Sequence, residues 1–235
     1  MTFNVTNAAD LTLDDSIYLL YGPSGIGKTH TTQYLKGKTL YVSIDRSEKP
    51  LSGNANIDIV KFNTHEAWTE WAEFVKWLAS TDLSAYDNIV FDNMSELYRS
   101  MLGHMGRVGK NNRVPTMMNY QQVDFMVIDS ARYIASLGKR VVFYAWETTD
   151  QWHTPAGQVF NRAYPELRDK ILNNFMGLCQ VVARLRHNEK TDKRFYTLQP
   201  SDDTFAKNQL DDRKYCLQED IFEIGKESTV ESDVN

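Results

Sequence analysis

The hydrophobic and polar positions of this chain follow two periods in turn. Short apolar-rich runs lie at 17–21, 39–44, 57–62, 88–92, 141–146 and 179–185. Each is bounded by polar or glycine-containing stretches, the pattern of strands buried on both faces. Between them apolar residues recur at three and four. Trp68, Trp71, Phe74, Val75 and Leu78 follow a cap at Thr64 and predict a helix to about Ser80. Tyr120, Val123, Val127, Ala131, Ile134 and Leu137 predict a helix over 116–137, ended by Gly138. Shorter helices are predicted from Thr29 to Leu35, from Met94 to about Met101, and from Pro165 to about Phe175. Phe195 to Leu198 reads as the hairpin partner of the 179–185 strand. Strands alternating with helices predict an α/β fold: a mainly parallel central sheet, helices on both faces and a C-terminal β-hairpin. A single domain is expected over 1–224, followed by a flexible acidic tail over 225–235. Residues 103–115 and 149–163 carry neither period and are expected to be loops.

The first strand runs into Gly22-Pro23-Ser24-Gly25-Ile26-Gly27-Lys28-Thr29-His30. Gly22, Gly27, Lys28 and Thr29 fill the pattern G-x-x-x-x-G-K-[ST]. Its glycines let successive backbone N–H groups turn inward around phosphate. Lys28 brings a point charge to the β- and γ-phosphates, Thr29 a hydroxyl for Mg²⁺, and the following helix its positive end. ATP with Mg²⁺ is therefore the expected cofactor pair, and residues 22–30 the expected nucleotide contacts. A second half of such a site is expected at the end of another apolar strand, and Asn88 to Asp92 supplies it. Asp92 would hold the hydrated Mg²⁺ together with Thr29. Asn93 follows, either within the same water network or capping the next helix.

Polar residues just past a strand's carboxyl end stand over the ligand crevice of an α/β sheet. Asp45 and Glu48 are thus candidates to activate a water near the γ-phosphate, Glu48 favoured for its reach. Glu147, after the 141–146 strand, is a candidate partner of water or Mg²⁺. Trp68 and Trp71 read as core rather than as base-stacking groups, and Met117, Met118 and Met126 as packing.

Net charge is -5, so any nucleic-acid contact must be local. Residues 103–115 depart from that sign: Arg107, Lys110 and Arg113 stand among Gly103, Gly106 and Gly109 with no acid. Residues 149–163 carry Trp152, His153, Phe160 and Arg162. Both stretches are candidates for single-stranded DNA, through backbone charge and base stacking, against the alternatives of a solvated loop and a self-packed lid. Arg184, Arg186, Lys190, Lys193 and Arg194 surround the C-terminal hairpin, with Lys207, Arg213 and Lys214 beyond it. Any of them could act as an arginine-finger-like group on a neighbouring subunit. Two cysteines, Cys179 and Cys216, suggest neither a disulfide framework nor a zinc site, which fits a reducing cytosol. No apolar run suits a bilayer, and no membrane contact is expected.

The phosphate loop, the Asn88–Asp92 run and the strand ending at Glu147 resemble a RecA-like ATPase core. The segments Ile44-Asp45-Arg46-Ser47-Glu48 and Asn161-Arg162-Ala163-Tyr164-Pro165 resemble the phage nucleotide-binding proteins, over roughly residues 15 to 200. That resemblance implies a phage-encoded ATPase in the host cytoplasm that binds single-stranded DNA and assists recombination or annealing. It also implies that 103–115 and 149–163 face DNA, and it allows a homo-oligomer and phage replication or recombination proteins as partners. The family keeps a glutamate soon after the second core strand; here Ser47 takes the simple alignment and Glu48 sits one residue late. Where RecA-like proteins often place a glutamine, this chain has Glu147. The alternatives are a helicase-loader or replication accessory ATPase acting through a protein partner, a nucleotide kinase, and a nucleotide-binding scaffold with little turnover.

Overall fold

The computed structural model describes residues 5–153 and 157–226. In chain order the elements are β1 (Ile17–Tyr21), α1 (Lys28–Thr31), β2 (Thr39–Ser43), β3 (Ile57–Lys61), α2 (Ala67–Ser80), β4 (Asn88–Asp92), α3 (Met94–Val108), α4 (Met117–Ala135) and β5 (Arg140–Ala145). They continue with β6 (Glu147–His153), β7 (Val159–Pro165), α5 (Asp169–Leu178), β8 (Val181–Asn188), β9 (Lys193–Thr197), β10 (Lys207–Asn208) and β11 (Tyr215–Leu217). Among the described residues the main sheet has nine strands, ordered β11-β9-β8-β1-β5-β4-β2-β3, with β10 on β8. From β8 to β3 all pairings are parallel, and β9, β10 and β11 are antiparallel. This is a mixed α/β sheet whose β1, β2, β4 and β5 are buried along nearly their whole length, as their near-continuous apolar runs require.

The two faces are covered differently from the expectation of helices on both. Trp71, Phe74, Leu97, Met101, Val127, Ile134, Ile171 and Phe175 bring α2, α3, α4 and α5 onto a single face, against Leu19, Val42, Phe91 and Phe143. The opposite face, with Tyr18, Leu20, Val142 and Tyr144, is closed by Tyr196, Cys216, Ile221 and Phe222 of the C-terminal segment and by the short α1 region. Trp71 is fully buried and donates from Nε1 to Ser130 Oγ at 3.0 Å, so it is core.

Four expected elements change. The helix after the phosphate loop is a single α-turn, Lys28–Thr31, continued as 3-10 through Thr32–Tyr34. It carries little axial dipole. Residues 103–108 are helical, because the period of Leu97, Met101 and Leu102 runs on through Met105. The expected 103–115 loop thus begins only at 109, and the connection from α3 to α4 is 109–116. Gly106 in α3 serves close approach: a Cβ there would lie 2.6 Å from the Arg113 carbonyl. Residues 149–163 belong to a second, two-stranded sheet of β6 and β7, with Trp152 opposite Phe160 and Asp150 opposite Arg162. Phe160, Arg162 and Tyr164 alternate along β7 with period two, the signal for a strand. Pro165 closes β7, and α5 begins only at Asp169. Residues 154–156 of the expected loop, and 227–235 of the expected tail, lie outside the described residues.

Candidate nucleotide site

Residues 22–27 join the carboxyl end of β1 to α1, in the crevice above the parallel strands. A cavity of about 370 Å³ opens there, lined by the loop from Ser24 to His30 and by Asp45, Ser47, Asp92 and Trp146. A larger cavity, about 840 Å³, lies at the amino ends of β1, β2, β4 and β5, away from the phosphate loop, and includes no phosphate-loop residue. Its charged lining is largely self-paired, Lys36 with Glu223 and Arg140 with Asp14. The chemistry therefore points to the smaller cavity.

Gly27 holds φ +105, a region costly to any side chain. Lys28 folds back over the loop and donates to the carbonyls of Gly22 at 2.8 Å and Pro23 at 2.9 Å. Burial pulls its pKa down; the carboxylates of Asp92, Asp45 and Glu147 oppose that shift.

Asp92 is reached by residues from three segments. Its Oδ2 accepts from Thr29 Oγ1 at 2.6 Å, from Tyr41 OH at 2.7 Å and from Ser47 Oγ at 3.0 Å. β5 lies between β1 and β4, yet the phosphate-loop threonine and the β4 aspartate meet directly. Burial, then the neighbouring charge of Asp45, pushes the Asp92 carboxyl up to about 6, while the three hydroxyl donors hold it down. Tyr41 and Ser47 were not among the expected partners of Asp92. Tyr41 lies two residues before Ser43, which is the register partner of Asp92, so one face of adjoining strands carries both side chains. That pairing becomes visible only once the strand order is known.

The three candidate acidic groups separate. Asp45 lines the cavity and is held by the Ser47 amide at 3.1 Å and the Asn93 side-chain amide at 2.6 Å. Asn93 also caps α3, accepting from the Glu96 amide at 2.8 Å, so both of its expected roles coexist. Glu48 is outside the cavity lining. Its Oε2 accepts from Ser43 Oγ at 2.5 Å, a bond that lowers its pKa, and Lys61 stands 3.9 Å from Oε1. Glu147 is engaged by Arg184, whose Nε and Nη2 donate to its two oxygens at 2.9 and 2.8 Å.

Both oxygen donors, the Thr29 hydroxyl and the Asp92 carboxylate, are of the kind Mg²⁺ takes. They are too few for an all-protein cage, so such an ion would share phosphate oxygens and water. Among the described residues no group of three or more His, Cys, Asp or Glu side chains could hold a metal by itself. Cys179 and Cys216 are free, buried thiols, both pushed up to about 12 by burial. No described helix is long and apolar enough to cross a membrane.

The stretches read as DNA contacts are placed as follows. Arg107 donates to the His65 carbonyl. Arg162 lies over the Trp152 ring at 4.7 Å and also faces Tyr164 and Phe205. Of the candidate basic groups, Arg184 is held by Glu147 and Arg213 by Asp211 at 2.7 Å, while Arg194 donates to the phosphate loop itself.

An α/β sheet with G-x-x-x-x-G-K-T at the carboxyl end of one strand, in contact with an aspartate ending another, defines a P-loop nucleoside triphosphatase. A family model described as an AAA domain matches residues 15–210, and the chain belongs to that family; it binds and hydrolyses ATP. Among solved structures, the chain is similar to the KaiC-like protein PH0186 of Pyrococcus horikoshii, at 13% identity and a TM-score of 0.44, covering 79% of this chain and 78% of that one. It is also similar to the flagellar accessory protein FlaH of Methanocaldococcus jannaschii, at 15% identity and a TM-score of 0.45, covering 86% of this chain and 84% of that one. Among curated proteins no match is found.

Proposed function

We propose that this chain is a Mg²⁺-dependent, RecA-like accessory ATPase of a replication or recombination module that acts through a protein partner. The observation that carries the ATPase chemistry is the 2.6 Å contact between Thr29 and Asp92 beside Lys28. In this reading Lys28 binds the β- and γ-phosphates, Thr29 and Asp92 hold the hydrated ion, and Asp45 positions the attacking water. Asp45 takes that role before Glu48 because it faces the cavity, whereas Glu48 is held by Ser43. The RecA-like assignment is supported by β5 standing between the phosphate-loop strand and the Asp92 strand.

A protein partner is supported by apolar side chains left in water. Met118 and Phe125, seven residues apart, share the outer face of α4, and Phe125 is 78% exposed; Val114 and Met117 are exposed beside them. Such a surface suits a protein better than a phosphate backbone. Single-stranded DNA remains a second reading, supported by Lys110 and Arg113 in the shortened 109–116 loop. Steady-state ATP hydrolysis separates the two. The partner reading expects single-stranded DNA to change turnover less than about twofold at any salt, and a purified replicative helicase or primase to change it more. A DNA stimulation that falls steeply with salt, as counterion release requires, would reverse the order of the two.

A further inference from the structure

The last strands of the sheet reach back to the phosphate loop through two side chains. Arg194 on β9 donates from Nε to the Ile26 carbonyl at 2.7 Å. Gln218, in the 3-10 turn that follows β11, donates from Nε2 to the Gly27 carbonyl at 2.8 Å and to Thr31 Oγ1 at 2.9 Å. Thr31 Oγ1 also bonds Tyr196 OH at 2.8 Å, and Gln218, Thr31 and Tyr196 are all buried. The Arg194 side chain packs against Gly27, where a Cβ would sit 3.2 Å from Nε.

A trans peptide points its carbonyl and its N–H in opposite directions. Holding the Ile26 carbonyl toward β9 therefore aims the Gly27 N–H away from β9. Holding the Gly27 carbonyl toward Gln218 does the same for the Lys28 N–H. These two amides belong to the run whose N–H groups cradle the α- and β-phosphates in the loop pattern. The one-turn α1 cannot fix them by its own length, since its first amides have few partners within the turn. Within the turn the Gly27 carbonyl accepts one amide, that of His30 at 3.1 Å; the further anchoring of the Ile26 and Gly27 carbonyls comes from residues far away in sequence.

We propose that Arg194 and Gln218 are positioning residues that lock the Gly27 and Lys28 amides in their phosphate-binding orientation, so that affinity for the β-phosphate depends on the C-terminal strands. This rests on residues 22–29 being the phosphate site. It differs from an arginine-finger role, which acts on charge developing at the γ-phosphate and so on kcat. A positioning role acts on every nucleotide that has a β-phosphate, and leaves the chemical step nearly untouched.

The test measures Mg²⁺-ADP, Mg²⁺-ATP and AMP binding by isothermal titration, together with kcat and KM, for R194A, Q218A and K28A. R194A is expected to weaken ADP and ATP by a similar factor, roughly five- to tenfold, as loss of one hydrogen bond implies. KM should rise by a like factor, kcat should change less than about threefold, and AMP binding should not respond. Arg194 is exposed, so R194A is expected to stay folded even if Q218A, which opens a buried network, does not. If R194A binds ADP as wild type does, or loses kcat with ADP affinity intact, the positioning role is overturned. If K28A also leaves ADP binding unchanged, the phosphate-site reading itself has failed, which is a separate outcome.

Discussion

At the scale of single residues, the site is a balance around one buried carboxylate. Asp92 has its pKa raised to about 6 against 3.8 for a free aspartate. In the metal-free protein its protonated form is therefore favoured by folding: that stability is fully present below about pH 4 and is lost as pH rises through about 6. D92N should consequently abolish turnover yet flatten this pH slope and raise the stability of the nucleotide-free protein near neutrality. Urea melts in chelator at about pH 5 and about pH 7.5 measure it; an unchanged slope in D92N would place the titration elsewhere. The same geometry divides Asp45 from Glu48. D45N is expected to lower kcat by about 10² or more, as loss of a water-positioning base does, while E48Q should stay within about threefold of wild type. The reverse result would return the role to Glu48. The sequence could name both carboxylates because each follows a strand, but Ser43, the partner that turns Glu48 aside, acts only through the folded loop.

At the scale of elements, local signals decided what could be read. β1, the phosphate loop and β4 are contiguous apolar or glycine-rich runs and were legible as such. The β6–β7 hairpin was not, because its exposed strands carry Asp150, Gln151, Asn161 and Arg162 where buried strands carry aliphatics. The only pattern β7 offers is the period-two alternation of Phe160, Arg162 and Tyr164, in which a charge stands between two aromatics; the cross-strand pairs and Arg162 lying over Trp152, which make it regular, are not encoded by hydropathy. The glycines of 103–109 misled for another reason: they read as flexibility, but Gly103 and Gly106 lie within α3. Two substitutions make that distinction measurable. A Cβ at Gly103 would meet only the end of the Arg107 side chain at 3.4 Å, so G103A should be neutral or stabilise by up to about 1 kcal/mol through helix propensity. A Cβ at Gly106 would meet the Arg113 carbonyl at 2.6 Å and Pro115 Cδ at 3.0 Å. G106A should therefore cost about 1–3 kcal/mol, as overpacking does. Chemical denaturation of both variants checks this, and equal effects would argue for a loop at both positions.

At the scale of the whole molecule, the two faces of the sheet pose different questions of cooperativity. One face is packed by four helices, and its core continues directly from their apolar stripes. The other depends on residues that arrive last in the chain: Cys216, Ile221 and Phe222 cover Tyr18, Leu20 and Val142, with the Phe222 ring edge-on to Tyr18 at 5.2 Å between centroids. Part of this cover lies beyond residue 210, where the family match ends. Yet it packs against β1, the strand that carries the phosphate loop. If the chain is a single folding unit to about residue 224, damage to this late segment must be felt by the entire sheet. Phe222→Ala removes a buried aromatic and should cost about 3 kcal/mol. For a chain of this size that corresponds to a fall in Tm of roughly 6–12 °C. The transition should remain single, and the fluorescence of the five tryptophans, Trp71 among them deep under the opposite face, should report the same midpoint as backbone circular dichroism does. Mg²⁺-ATP should raise the midpoint of F222A as it does that of wild type, because a ligand of the native state stabilises by mass action whatever the starting stability. An early transition confined to the C-terminal strands, with tryptophan fluorescence and nucleotide binding unaffected, would instead mean that residues beyond 210 form an appendage, and that β1 holds the phosphate loop without them.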